Sequence, residues 1–131
     1  METFKKTEPF WSTVYDVSLF GWGEPLLNPN LGNFFDMIIV YKPRVFVLTN
    51  GMLLKDDLIG KFVKGGLAFL NFSFDGVTAE TYNNIRRGSD FNKVLSNIKK
   101  VVDIKKREKK NTPYLRMVFV YSNKERIRGF F

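Results

Sequence analysis

Apolar and polar positions along the chain alternate between two rhythms, short runs in which nearly every residue is apolar and longer stretches in which apolar residues return every three or four positions. Four short runs read as strands: residues 14–20, residues 44–48, residues 69–74 and residues 114–121. The second, Arg44-Val45-Phe46-Val47-Leu48, is almost continuously apolar, as a strand buried on both faces of a parallel sheet must be. Between the runs the helical period takes over. Leu31, Phe34, Phe35 and Ile38 share one face behind the capping signal Asn28-Pro29-Asn30, and that helix should stop before Pro43. Leu58, Ile59, Phe62 and Val63 mark a second helix over residues 55–64, with Asp56 and Asp57 in its first turn and Gly65-Gly66 as its stop. A short helical piece over residues 79–85 follows Thr78. Phe91, Val94, Leu95, Ile98, Val101 and Val102 then trace the longest helix, from a cap at Ser89 or Asp90. The order βαβαβαβ predicts an α/β fold of about four parallel strands with the helices outside, and ligand groups gathered at the carboxyl ends of the strands. Residues 1–13 show no clear period and read as a lead-in, a helix remnant ending near Pro9.

Each strand ends on residues suited to a site. The first runs into Phe20-Gly21-Trp22-Gly23-Glu24-Pro25, where two glycines let a backbone approach a ligand or take positive φ, one acid supplies an acceptor, and the proline stops the strand. The second ends in Thr49-Asn50-Gly51. The third ends in Ser73-Phe74-Asp75-Gly76, where the spacing of two between Ser73 and Asp75 predicts side chains pointing the same way. Each of these also has a plain structural reading: an ordinary tight turn for the glycines, a solvated loop acid for Glu24, a satisfied strand-end hydroxyl for Ser73. Trp22 reads as a packing residue.

Composition narrows the chemistry sharply. The 131 residues suit one globular domain, with 44% hydrophobic content and 14 Phe. There is no Cys and no His, so thiolate and imidazole ligands, thiol nucleophiles, histidine bases and disulfides are all removed from this chain. No apolar run reaches the ~18 residues of a membrane span, and the N-terminus lacks the apolar region of a signal peptide, so the expected location is cytoplasmic. The net charge of +8 is carried by the C-terminal quarter: residues 99–131 hold eleven basic and three acidic side chains, against ten of each in residues 1–98. Lys99, Lys100, Lys105, Lys106, Arg107, Lys109 and Lys110 fall at the end of the longest helix, where cations suit the negative end of the helix dipole. No aromatic interleaving accompanies them, so nucleic acid is not an expected partner.

Taken in sequence, Gly21-Trp22-Gly23-Glu24-Pro25-Leu26-Leu27-Asn28-Pro29, Thr49-Asn50-Gly51, Ser73-Phe74-Asp75-Gly76, and Tyr82 with Ile85-Arg86 and Phe91, Val94, Asn97 and Ile98 resemble the radical S-adenosylmethionine (SAM) enzymes, specifically the branch that usually carries a C-terminal SPASM domain. The resemblance runs over residues 14–123, leaving residues 124–131 as a basic tail. It implies a partial (β/α) TIM-like barrel. It also implies that Gly21, Trp22, Gly23, Glu24 and Pro25 hold the methionine amino group of SAM, that Ser73 meets its ribose or carboxylate and Arg86 its carboxylate, and that Thr49 and Asn50 line the cavity. Asp75 either holds its turn or touches the ligand, and Arg86 alternatively is a surface cation beside Arg87. The family's [4Fe-4S] cluster is bound through Cys-x3-Cys-x2-Cys, and this chain has none of those thiolates. The resemblance therefore implies a piece of a radical SAM enzyme that is inactive by itself, with weak residual SAM binding, completed by a cysteine-bearing partner chain or self-associating through open sheet edges. A non-catalytic binding or interaction module on the same scaffold is the alternative.

Overall fold

The computed structural model describes residues 2–119, and within them the expected strand and helix order is present. A short α1 (Glu2–Lys5) and a 3-10 turn (Glu8–Phe10) lead into β1 (Asp16–Ser18). There follow a 3-10 turn (Pro25–Leu27), α2 (Leu31–Ile39), β2 (Arg44–Thr49), α3 (Asp56–Gly65), β3 (Phe69–Ser73), α4 (Ala79–Ile85), α5 (Phe91–Arg107) and β4 (Tyr114–Val118). The end of the expected fourth strand at Val120 and Tyr121, Ser122, Asn123 and the basic tail lie outside the described residues.

The four strands form one parallel sheet in the order β1-β2-β3-β4, an open sheet whose outer strands among the described residues are β1 and β4. Alternation within each strand separates its two faces. Val17, Val45, Val47, Leu70, Phe72 and Leu115 point to the helices and join Phe35, Ile38, Ile59, Phe62 and Val63 in one core. Burial of several completely enclosed aromatic and branched side chains, each contributing about 1.5–3 kcal/mol, is what holds helices and sheet together. Phe46, Leu48, Phe69 and Tyr114 stand on the opposite face and none of them belongs to that core. They form the lining of a barrel wall that is left open among the described residues.

Capping follows the chemistry of the sequence. Asp90, rather than Ser89, caps α5 by accepting from the Lys93 backbone N–H at 3.1 Å, and Thr78 caps α4 by accepting from Thr81 N–H. α3 ends on Gly66 in the left-handed region at φ 79°. Asn30 precedes α2 without a side-chain cap; Asn28 instead accepts from the Asn30 N–H at 2.9 Å and turns the chain into the helix.

The first residues are more than a lead-in to the sheet. Trp11 is buried in the core, its indole N–H donating to Thr7 Oγ1 at 3.0 Å, and Phe4 stacks on Phe34 at 4.2 Å between ring centroids. The segment therefore covers the outer side of α2. A smaller core of Phe74, Tyr82 and Val94 joins α4 and α5 beneath the end of β3.

Candidate functional site

The site is assembled at the carboxyl ends of the first three strands, and Glu24 is its fastener. Its Oε1 accepts from Thr49 Oγ1 at 2.6 Å and from the Leu26 N–H at 3.0 Å, while Oε2 accepts from the Asn50 N–H at 2.7 Å. Thr49 Oγ1 in turn accepts from the Gly51 N–H at 3.0 Å. One carboxylate thus ties the glycine-rich turn after β1 to the end of β2, across 25 residues of chain.

Behind this tie the turn after β2 is fixed by packing. Gly51 has φ 77°, and a Cβ there would come within 3.0 Å of the Phe72 ring. Its carbonyl accepts from Asn97 Nδ2 at 2.8 Å, which makes buried Asn97 the strut between α5 and the site. Asn50 Oδ1 accepts from the Met52 N–H at 2.9 Å, completing a turn that any other geometry at residue 51 would break.

On the β3 side, Arg86 at the end of α4 grips Asp75, Nε and Nη2 both reaching Oδ2 at 2.8 and 2.7 Å. The Asp75 side chain is nearly buried and that of Arg86 about a quarter exposed, so the guanidinium is held by one edge and presented to the cleft by the other.

These groups surround an open cleft of about 200 Å3 lined by Phe20, Gly21, Gly23, Glu24, Leu48, Thr49, Asn50, Ser73 and Arg86. Seven of the residues expected from sequence are brought together there: Gly21, Gly23, Glu24, Thr49, Asn50, Ser73 and Arg86. Three are not. Pro25 and Trp22 line a separate hollow on the other side of the turn, with Phe4, Leu31 and Phe34, and Asp75 stands behind Arg86 rather than in the cleft. Trp22, expected to pack, is fully exposed at the tip of the turn, between Gly21 and Gly23. Ser73, the last residue of β3, lines the cleft itself, while Asp75 reaches it only through Arg86. Phe20 and Leu48 are lining residues that motif reading missed; the alternation of β2 placed Leu48 on the open face and could have found it.

The polar groups of the cleft suit a zwitterionic amino acid end. Glu24 Oε2 has acceptor capacity beyond its one bond, the Ser73 hydroxyl and Asn50 Nδ2 have no partner among the described residues, and Arg86 lines the same cleft with its guanidinium. Gly21 adds room, since nothing lies within 4 Å of where its Cβ would be, and Gly23 holds φ at 100°, a conformation closed to side-chain-bearing residues. An iron-sulfur cluster is a different matter. Thiolates are its ligands, this chain has no Cys, and no group of three or more His, Asp or Glu able to hold a metal occurs among the described residues.

A parallel sheet with helices on one face and a polar cleft at the strand ends defines an α/β domain of the partial-barrel type. The sequence profile of the Radical SAM superfamily matches residues 11–130, and the chain belongs to that superfamily. It is similar to GTP 3′,8-cyclase of Clostridium botulinum, 26% identical over 111 residues that make up 79% of this chain and 35% of that protein. The GTP 3′,8-cyclase of Desulforamulus reducens is 32% identical over 84 residues, covering 63% of this chain and 26% of that one. The AdoMet-dependent heme synthase of Methanosarcina barkeri is 33% identical over 70 residues, 53% of this chain and 20% of that protein. The chain thus spans about a third or less of the length of these relatives. Among solved structures, archaeal TYW1 superposes with a TM-score of 0.56 at 24% identity over 88% of this chain and 37% of that one, a likeness of fold.

Proposed function

We propose that this chain is the central, SAM-holding part of a radical SAM enzyme of the SPASM-type branch, able to bind SAM weakly and unable to cleave it alone. The observation that carries the reading is the convergence of Gly21, Gly23, Glu24, Thr49, Asn50, Ser73 and Arg86, from four separate segments, on one cleft. In this reading the backbone of the glycine turn and the spare lone pair of Glu24 Oε2 receive the ammonium of SAM. Arg86 receives its carboxylate and Ser73 a ribose hydroxyl. No residue of this chain fits the cluster that would supply the electron for reductive cleavage, and its thiolate ligands would come from a cysteine-bearing polypeptide outside this chain.

A second reading has its own support. Glu24, Thr49, Asp75 and Arg86 already satisfy one another in hydrogen bonds without a ligand, so the scaffold also suits a non-catalytic binding or interaction module. Titration calorimetry with SAM separates this from the first reading. A dissociation constant weaker than about 1 μM, abolished by Gly21→Ala, is the expected result. Gly21→Ala is chosen because a methyl group there meets no protein atom, so the fold tolerates it while a ligand against the backbone does not. Absence of SAM binding, or binding unchanged by Gly21→Ala, overturns the proposal.

A further inference from the structure

The open face of the sheet carries a feature that SAM binding does not use. Phe46 on β2 and Phe69 on β3 stack with ring centroids 5.0 Å apart and planes only 7° from parallel, and Tyr114 on β4 continues the row at 5.5 Å from Phe69. Two arginines reach this row. Arg44 is neutralised by Asp16, with Nε on Oδ1 at 2.7 Å and Nη2 on Oδ2 at 2.8 Å. Arg116 lies 3.8 Å over the Phe69 ring and has no acidic partner among the described residues.

Arg116 therefore differs from a solvated surface cation in two ways. The ring beneath it pins the guanidinium plane, so less rotamer freedom is lost when it forms hydrogen bonds, and stacking leaves its edge N–H groups free to grip an oxyanion. Its place relative to the cleft is fixed by register. Arg116 pairs with Asn71, and Val118 with the cleft residue Ser73, so Arg116 sits two residues, about 7 Å, below the rim on the neighbouring strand. Phe46 and Leu48, the latter a lining residue of the cleft, lie on the same face two strands away. The distance from Arg116 to the cleft is the length of a small molecule.

Resting on the reading of the cleft as a SAM site, we propose that this face binds a second small ligand, the substrate, and that it is an aromatic anion. Its ring lies on the Phe46 and Phe69 row and its phosphate or carboxylate oxygens on the Arg116 guanidinium. Arg116 is the specificity-determining residue of this subsite. Charge complementarity selects an anion over a neutral molecule, because Arg116 is the cation on this face that no carboxylate compensates among the described residues.

The test uses the full chain labelled with 15N and 13C, with phenyl phosphate, benzoate and neutral benzyl alcohol as probes and SAM titrated in parallel. Phenyl phosphate or benzoate should saturably shift the Arg116 Nε–H and Leu48 methyl resonances, the tighter of the two naming the oxyanion, and benzyl alcohol should bind at least tenfold more weakly. Arg116→Gln should weaken the anionic probes tenfold or more and Arg116→Lys by less, with the SAM-induced shifts at Gly21 and Gly23 unchanged by either. Equal binding of benzyl alcohol, no effect of Arg116→Gln, or no shift with either anion overturns the inference. Loss of the SAM shifts alone, with the anion response intact, overturns the reading of the cleft and leaves the anion subsite standing.

Discussion

Replacing Glu24 by Ala should cost the fold more than any other single change at the cleft. The carboxylate accepts three hydrogen bonds, from Thr49 Oγ1, Leu26 N–H and Asn50 N–H, at 2.6, 3.0 and 2.7 Å. Hydrogen bonds to a charged acceptor each contribute about 1.5–3 kcal/mol net. The naive sum overstates the loss, because water can reach the exposed side of the turn and replace a partner there. It cannot do so easily at Thr49, which is only 2% exposed and keeps just the Gly51 N–H. Taking the low end of that range, with one bond at full value and the other two at half, gives about 3 kcal/mol. For a domain of this size that is on the order of 10 °C in Tm. Glu24→Gln keeps one carbonyl acceptor in place and should lose about half as much. Thermal unfolding followed by circular dichroism, with urea titration beside it to read the free energy directly, measures both. If Glu24→Ala melts within about 2 °C of the parent, the carboxylate does not fasten the two strand ends. The structural account of this residue would then be wrong, and its role would lie with the ligand alone.

Three further outcomes are expected. Anaerobic reconstitution of the purified chain with iron and sulfide should give no iron-sulfur absorbance, since no thiolate is present; a stable cluster with visible bands would refute this. Burial raises the Tyr82 phenol above its ordinary value near 10, so the unfolded chain ionises first, and stability is whole below that pH and falls as pH rises beyond it. Tyr82→Phe should flatten that alkaline loss and change neutral-pH stability by less than about 1 kcal/mol, because Tyr82 Oη is buried with no hydrogen-bond partner among the described residues; a large destabilisation would show the hydroxyl to be engaged. Light scattering at low micromolar concentration should show association through the outer strands β1 and β4 and the open face, and a monodisperse monomer would count against it.

How much of this was legible in the sequence depends on which physical signal each feature leaves. Strand and helix order was readable because Val45, Val47, Phe35 and Phe62 are spaced by the period of the element that buries them. Strand ends were readable as site candidates because Gly23 and Gly51 stand where the chain takes positive φ, at 100° and 77°. Periodicity assigns a residue to a face but says nothing of what lies across the gap. So Glu24 read as an acceptor for a ligand, when most of its capacity is taken by Thr49, Asn50 and Leu26. The same blindness left Asp75 open between holding its turn and touching a ligand. β3 ends at Ser73, and Gly76 packs closely on α4, where a Cβ would come 2.5 Å from the Tyr82 nitrogen. Across that turn Asp75 accepts from Arg86, and the acid becomes the clamp on the cation. Both acids at the cleft are therefore spent on holding neighbours in place. Arg86, aimed by Asp75, and the Asn50 side chain, whose Oδ1 is held by the Met52 N–H, keep the unshared donors. A site so arranged meets an incoming anion with groups already in position, and the ordering cost that weakens binding falls on the ligand rather than on the protein.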